Sequence, residues 1–270
     1  HANVVHGICD TIAGAVPIED GLTIRSRSVM GVEIPLITLE QKPLELEYGF
    51  VSTSSLIDEA YIKFSRVKHL TARLAEVGRD QAVAVIVESR QAETEPRIRL
   101  TLYQGLPKME KMELIIQKAV ELGVYRIVPV ITQRTVVQPD TRSAEKRTAR
   151  WNRIAVEAAK QCGRARVPDV SGPVYLKEIL VSLGAPDLAI ALYENEKKGL
   201  KEILKCYNIN DVGNMALFVG PEGGFAREEV DEMHHSGILT AGLGRRVLRA
   251  ETAAISGISI IMYEMGEMQQ

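Results

Sequence analysis

From Lys108 onward the chain repeats one rhythm, and that rhythm limits its fold more than any other feature. Short apolar, β-branched runs alternate with segments of two or more helical turns. The runs are Ile127-Val128-Pro129-Val130-Ile131, Leu188–Tyr193, Met215–Val219 and Ile238–Leu243. Met109, Met112, Ile116, Ala119, Val120 and Gly123 mark an amphipathic helix closed by a glycine. Further helices are predicted over Ser143–Cys162, with Ser143 as N-cap, and over Leu176–Leu183, Arg227–Ser236 and Ala250–Met262. Strands separated by helix-length crossovers return parallel, and a parallel sheet needs helices on both faces. The class is therefore α/β, with Pro129 pointing to an edge or a bulge in its strand.

The first third reads differently. Leu22-Thr23-Ile24, Val32-Glu33-Ile34 and Leu44-Glu45-Leu46-Glu47-Tyr48 alternate, with Gly21, Gly31, Pro43 and Gly49 as punctuation. Closely spaced short strands suggest an antiparallel barrel or sandwich. Val83–Val87 and Ile98–Tyr103 are read as its continuation, and Val67, Leu70, Leu74 and Val77 as a helix between them. The boundary is set at Gly105-Leu106-Pro107, giving a smaller β-rich domain at 1–105 and an α/β domain at 106–270.

Composition excludes several classes. Lys plus Arg number 33 against 35 Asp plus Glu, a net charge of −2, so the chain is not a globally basic nucleic-acid coat. Cys9, Cys162 and Cys206 are scattered, as free thiols in a reducing compartment are, and they suggest neither a disulfide framework nor a zinc site. His234-His235 are adjacent on a predicted helix and point apart, so no metal is expected. No apolar run reaches the ~18–20 residues of a membrane helix. The reading is cytoplasmic, or organellar if a transit peptide preceded His1.

Two loops carry the chemistry. Leu217-Phe218-Val219 runs into Gly220-Pro221-Glu222-Gly223-Gly224-Phe225 and then into a helix. In open α/β sheets ligands bind beyond the carboxyl ends of strands, and glycines let backbone approach them. A plain strand-to-helix turn is the alternative. The pattern is neither a dinucleotide fingerprint nor a phosphate loop, because no Gly-Lys-Ser/Thr follows and Glu222 repels phosphate. It suits a ligand that offers donors or positive charge. The second loop, Leu243-Gly244-Arg245-Arg246-Val247-Leu248-Arg249, also leaves a strand and enters a helix. Leu192-Tyr193-Glu194, at the end of an earlier strand, supplies a third wall. The plain alternative for Arg245 and Arg246 is solvated surface charge, which at least one of them fits better, and for Arg249 with Glu251 it is a local pair or helix-end electrostatics.

A third feature is local charge. Residues 142–166 carry Arg142, Lys146, Arg147, Arg150, Arg153, Lys160, Arg164 and Arg166, against Glu145 and Glu157. Residues three or four apart share a helical face, and such a face attracts phosphates or is ordinary solvated surface. Trp151, the single tryptophan, fits a core or interface role better than base stacking.

Gly220–Phe225 followed by Leu243-Gly244-x-Arg246-Val247-Leu248-Arg249-x-Glu251-Thr252-Ala253 resembles the RsmE family of 16S rRNA uridine methyltransferases, in the SPOUT superfamily. Met112-Glu113-x-x-Ile116-Gln117-Lys118-Ala119-x-Glu121-Leu122-Gly123 and Arg150-Trp151 through Gly163-Arg164 agree with it in order and spacing. The likeness covers about Leu106 to Gly266; in the first third only Lys68-His69-Leu70 and Glu76-Val77-Gly78 are similar.

The resemblance implies a SPOUT-type sheet with a C-terminal trefoil knot, an N-terminal RNA-binding barrel similar to PUA domains, and a homodimer. It implies S-adenosylmethionine held by Leu192, Tyr193, Glu194, Val219, Gly220, Glu222, Gly223, Leu243, Gly244, Val247 and Leu248. It implies methylation of a uridine N3 in 16S-type rRNA or the small ribosomal subunit. Arg249 is then the candidate that stabilises charge on the uracil, and Arg150, Arg153, Gln161, Arg164 and Arg166 are candidate RNA contacts. A non-catalytic RNA-binding or ribosome-assembly protein on the same scaffold is the alternative.

Overall fold

The computed structural model describes residues 94–108, 111–136 and 141–269, together with the backbone of seven strands between residues 16 and 91. Cys9, Met109, the Leu44–Tyr48 strand and the punctuation at Gly21, Gly31 and Pro43 lie outside the described residues. The chain divides into two compact units, 1–95 with 159–167, and 96–158 with 168–270.

In the first unit the strands are β1 (Val16–Pro17), β2 (Leu22–Val29), β3 (Val32–Glu40), β4 (Gly49–Ser52), β5 (Glu59–Phe64), β6 (Lys68–Val77) and β7 (Gln81–Gln91). They pair antiparallel in the order β1-β2-β3-β7-β6-β5-β4. The helix expected over Val67–Val77 is thus β6, a strand. Leu70, Ala72 and Leu74 also satisfy a period of two, and pairing with both β5 and β7 decides between the two periods.

The second unit begins with β8 (Arg99–Gly105), followed by α1 (Lys111–Glu121), β9 (Arg126–Ile131) and α2 (Thr141–Cys162). Two short strands follow, β10 (Asp169–Val170) and β11 (Val174–Tyr175), then α3 (Leu176–Ser182) and β12 (Leu188–Leu192). The chain continues through α4 (Leu200–Leu204), β13 (Asn214–Val219), α5 (Arg227–His235), β14 (Leu239–Ala241) and α6 (Ala250–Glu264). Every strand pair here is parallel, in the order β10-β9-β8-β13-β12-β14, with β11 also on β9.

β8 corrects the expected boundary. Ile98–Tyr103 does not extend the antiparallel sheet; β8 lies between β9 and β13 in the parallel one, and the units part at 95/96. An apolar run of this length fits either sheet, and only its partners, Arg126–Val130 and Asn214–Val219, distinguish them. Pro129 lies in a strand paired on both sides, yet its missing donor costs nothing. β10 pairs at Arg126 and Ile127 and β11 at Val130 and Ile131, so Pro129 faces the gap between them.

Both faces are covered. Leu176, Ile179, Val230 and Met233, from α3 and α5, pack on Val128, Val130, Ala189, Ala191, Ala216 and Phe218. Tyr103 stacks on Phe218 with ring centroids 4.4 Å apart. On the other face α6 lies against the strands through Gly257, where a Cβ would come within 2.9 Å of Leu192 and 3.4 Å of Leu217. Buried Ala250, Ala254, Gly257, Ile258, Ile261 and Met262 form that stripe. Gly257 therefore serves packing within the unit. α2 begins at Thr141, two residues before Ser143, which lies inside the helix and does not cap it.

Candidate functional site

Parallel register brings three strand ends together. Leu192 is level with both Val219 and Ala241, so the chain leaves β12, β13 and β14 at one edge of the sheet. Beyond that edge lies a cleft of about 130 Å³ that is open to solvent. Its lining includes Leu192, Tyr193, Glu194, Val219, Gly220, Glu222, Gly223, Leu243, Gly244, Val247 and Leu248, all singled out from the sequence. It also includes Pro221, Gly224, Ala241, Arg246, Ala250 and Ala253. Of the two arginines for which solvated charge is the alternative, Arg246 lines the cleft and Arg245 does not. Ala250 and Ala253, three apart at the start of α6, were legible only as small residues.

The glycine loop is held by its own backbone. Gly224 N–H donates to the Pro221 carbonyl at 2.9 Å, and a Cβ on Gly220 would stand 2.9 Å from Gly224 Cα. Gly224 has φ +66°, and a side chain there would meet the Glu194 carboxylate at 3.0 Å. Gly223 is bare for a different reason. The position of its absent Cβ is 3.0 Å from Arg134 Cβ, and Arg134 Nη1 donates to the Gly223 carbonyl at 2.7 Å. Next to it, buried Glu229 accepts from Ala226 N–H and Gln133 N–H, each at 2.8 Å, joining the start of α5 to the loop after β9.

The second loop is anchored at its root. Gly242 N–H donates to Lys198 at 2.9 Å, and Leu200 N–H to Gly242 at 3.1 Å. Thr240 Oγ donates to Glu196 at 2.6 Å and therefore accepts from His234 Nε2, 3.1 Å away. Thr240, with the backbone N–H groups of Lys198 and Lys197, holds the Glu196 carboxyl below its ordinary range, against a smaller opposing effect of burial.

The cleft contains two carboxylates of different standing. Glu222 accepts the Lys108 N–H at 3.1 and 3.2 Å and the Lys111 ammonium at 2.9 Å. Burial pushes its carboxyl up, but Lys111 and the backbone N–H groups together outweigh burial and hold it low. Its charge is therefore already matched within the protein. Glu194 is exposed and has no cation beside it among the described residues. Apolar walls, open backbone and one unmatched carboxylate suit a ligand with a flat apolar part and a positive charge.

The basic residues fare unequally. Arg249 is exposed at the N-cap of α6; it does not line the cleft, although Leu248 and Ala250 on either side do. Arg153 and Gln161 are exposed and Arg166 is half-buried. Arg150 is paired with Glu113 through two contacts of 2.8 Å. Arg164 is a correction. It is 3% exposed and reaches Glu95 at 2.6 Å, while Glu95 also accepts Arg166 N–H at 3.0 Å, so Arg164 is a structural ion pair and not a phosphate contact. Trp151 is buried.

A model of the RNA methyltransferase domain matches residues 93–262. A second model, of an ATP synthase component, matches residues 4–121, less than half of the chain. The chain is 34% identical over 194 residues to the ribosomal RNA small subunit methyltransferase E of Bacillus subtilis, covering 71% of this chain and 76% of that protein. It is 32% identical to the Aquifex aeolicus protein of the same name, covering 66% and 73%. A Legionella pneumophila protein solved with the bound cofactor SAM superposes with a TM-score of 0.69 at 26% identity, covering 97% of this chain and 98% of that one. The Neisseria gonorrhoeae ribosomal RNA small subunit methyltransferase E, bound to S-adenosyl methionine, gives 0.69 at 24% identity, with 97% of each chain covered.

Proposed function

Because the chain belongs to the RNA methyltransferase family that includes the ribosomal RNA small subunit methyltransferases E, we propose that it methylates N3 of a uridine in small-subunit rRNA, with S-adenosylmethionine as donor. The observation that carries this reading is the convergence of three strand-end loops on one cleft, with Glu194 left unmatched. When bound, the sulfonium supplies an electrophilic methyl group. Leu192, Leu243, Val247 and Leu248 would enclose the adenine, and backbone groups of the second loop would bond its edge. Gly220 and Gly224 let the loop close on itself beside Glu194, where a Cβ on either would collide, and Glu194 favours a cationic end.

Uridine N3 becomes nucleophilic by losing its proton, which spreads negative charge onto O2 and O4. Arg249, at the N-cap of α6, is assigned to that charge, and Arg246, which lines the cleft, is a second cation for it. An arginine stays protonated, so neither side chain takes the N3 proton. The target base must be unpaired or extruded, since N3 is a pairing position. The exposed cations of α2, Arg142, Lys146 and Arg153, would hold the RNA backbone.

The reading extends to the remaining expectations. The antiparallel sheet is assigned as a PUA-like RNA-binding barrel. The trefoil knot would be tied where Gly242 runs against residues 196–200 before α6 turns back onto the sheet. A groove of about 600 Å³ lined by Leu200, Leu243, Ile260, Tyr263 and Met268 fits a second copy of the chain in a homodimer. The cytoplasm, or an organelle with its own ribosomes, is where such a substrate occurs.

The decisive experiment offers small-subunit rRNA, free and as assembled subunit, from cells lacking the protein, together with labelled S-adenosylmethionine. Nucleoside mass mapping should find one new N3-methyluridine. Cofactor binding without methyl transfer to either substrate would instead indicate a non-catalytic RNA-binding protein.

A further inference from the structure

Two segments that line the cleft are joined by a side chain that does not. Lys111, the first residue of α1, lies 2.9 Å from Glu222 in the glycine loop and 3.5 Å from Glu251 in the first turn of α6. Glu222 stands between Pro221 and Gly223, and Glu251 follows Ala250; these three neighbours all line the cleft. Glu251 Oε2 is buried without a hydrogen-bond partner, and the pair with Lys111 is what compensates its charge. Side-chain exposures of 32%, 29% and 14% put the cluster between surface and core, where water screens it only partly. Remove the ammonium, and two carboxylates remain, one in the glycine loop and one in the first turn of α6, with no other cation beside them among the described residues.

Resting on the methyltransferase reading, we propose that Lys111 is a positioning residue of the cofactor cleft, tying the glycine loop to the first turn of α6 and cancelling the charge of Glu222. The latch has two separable effects. Geometrically, it sets the spacing of two cleft segments, so cutting it weakens any ligand that spans them. Electrostatically, it leaves Glu194 as the carboxylate that a ligand meets. Unmasking Glu222 would therefore favour cationic S-adenosylmethionine over the neutral thioether S-adenosylhomocysteine. The ratio of the two affinities reads the charge effect separately from any general loosening.

Calorimetry with both compounds tests this on wild type, Lys111→Met, Lys111→Arg and Glu222→Gln. Lys111→Met should weaken S-adenosylhomocysteine by at least about tenfold, the loss of a charge-assisted bond, and S-adenosylmethionine by clearly less. Lys111→Arg should restore both. Glu222→Gln should move the ratio the opposite way, because it removes negative charge and keeps the ammonium. If Lys111→Met does not fold by circular dichroism, the ratio in Glu222→Gln decides alone. A wild type that binds both compounds, with the ratio unmoved in the folded variants, overturns the inference. A wild type that binds neither defeats the methyltransferase reading and the inference with it.

Discussion

The cleft and the basic helix are both concentrations of residues that the sequence marks out, and the structure treats them in opposite ways. Residues from three loops, up to 56 positions apart, come together around one cavity. The cations of 142–166, close in sequence, are divided: Arg150 is paired with Glu113, Arg164 is buried against Glu95, and Lys146 and Arg153 are exposed. The cleft is made by topology. Parallel strands in register must end at the same edge, so a glycine loop after one strand meets the loops after its neighbours. Side-chain pairing follows no such rule. The partners of Arg150 and Arg164 lie 37 and 69 positions away, and no local spacing connects them.

The largest effect should come from the buried end of this contrast. Arg164→Ala would leave the Glu95 carboxylate partly buried without its cation, at a cost of about 3 kcal/mol. Urea unfolding should show a lower midpoint, while the salt dependence of RNA binding by the folded protein stays as in wild type. A stable variant with a flatter salt slope would return Arg164 to the RNA contacts and remove the contrast.

Next in size is a test of the topological half. Gly220→Val places side-chain carbons within reach of the Gly224 backbone, which has no rotamer with which to yield. Affinity for S-adenosylmethionine should fall about a hundredfold, roughly 2.7 kcal/mol. Gly223→Val faces the flexible Arg134 side chain and should cost far less. Equal losses in the two variants would mean that the loop's detailed path is irrelevant to binding.

Much of the second unit was legible because its periodicity and its fold agree. β12, β13, α5 and α6 lie within one or two residues of their predicted bounds. β6 and β8 were misread for one physical reason. A short segment can satisfy two periods or two sheets, and only pairing partners far along the chain decide. Within the site, glycines and strand ends were readable because they express backbone geometry. The roles of Lys111, Arg134 and Glu229 were not, since each depends on a partner 89 to 111 residues away.

A smaller effect should come from the cations that remain exposed on α2. Lys146 and Arg153 are seven apart and share a helical face, with no acidic partner among the described residues. Reversing both to Glu should weaken RNA binding about tenfold at physiological salt and flatten its salt dependence, with cofactor affinity unchanged. An unchanged slope would make the whole helix ordinary surface, and α2 would then offer nothing for the cleft to be compared with.

The smallest effect tests whether pairing really withholds a charge. Arg150 is 59% exposed and Glu113 25%, so their mutual attraction is worth about 0–1 kcal/mol and can be exchanged for a phosphate. If Glu113 holds the guanidinium in competition with RNA, Glu113→Gln releases it. RNA affinity should then rise about twofold, and the salt slope should steepen by nearly one counterion. If Arg150 already contacts phosphate in the complex, the substitution leaves the slope as it was, because the same number of counterions is displaced. The measured slope thus separates a cation that is present from one that is available, a distinction that charge spacing along the sequence does not contain.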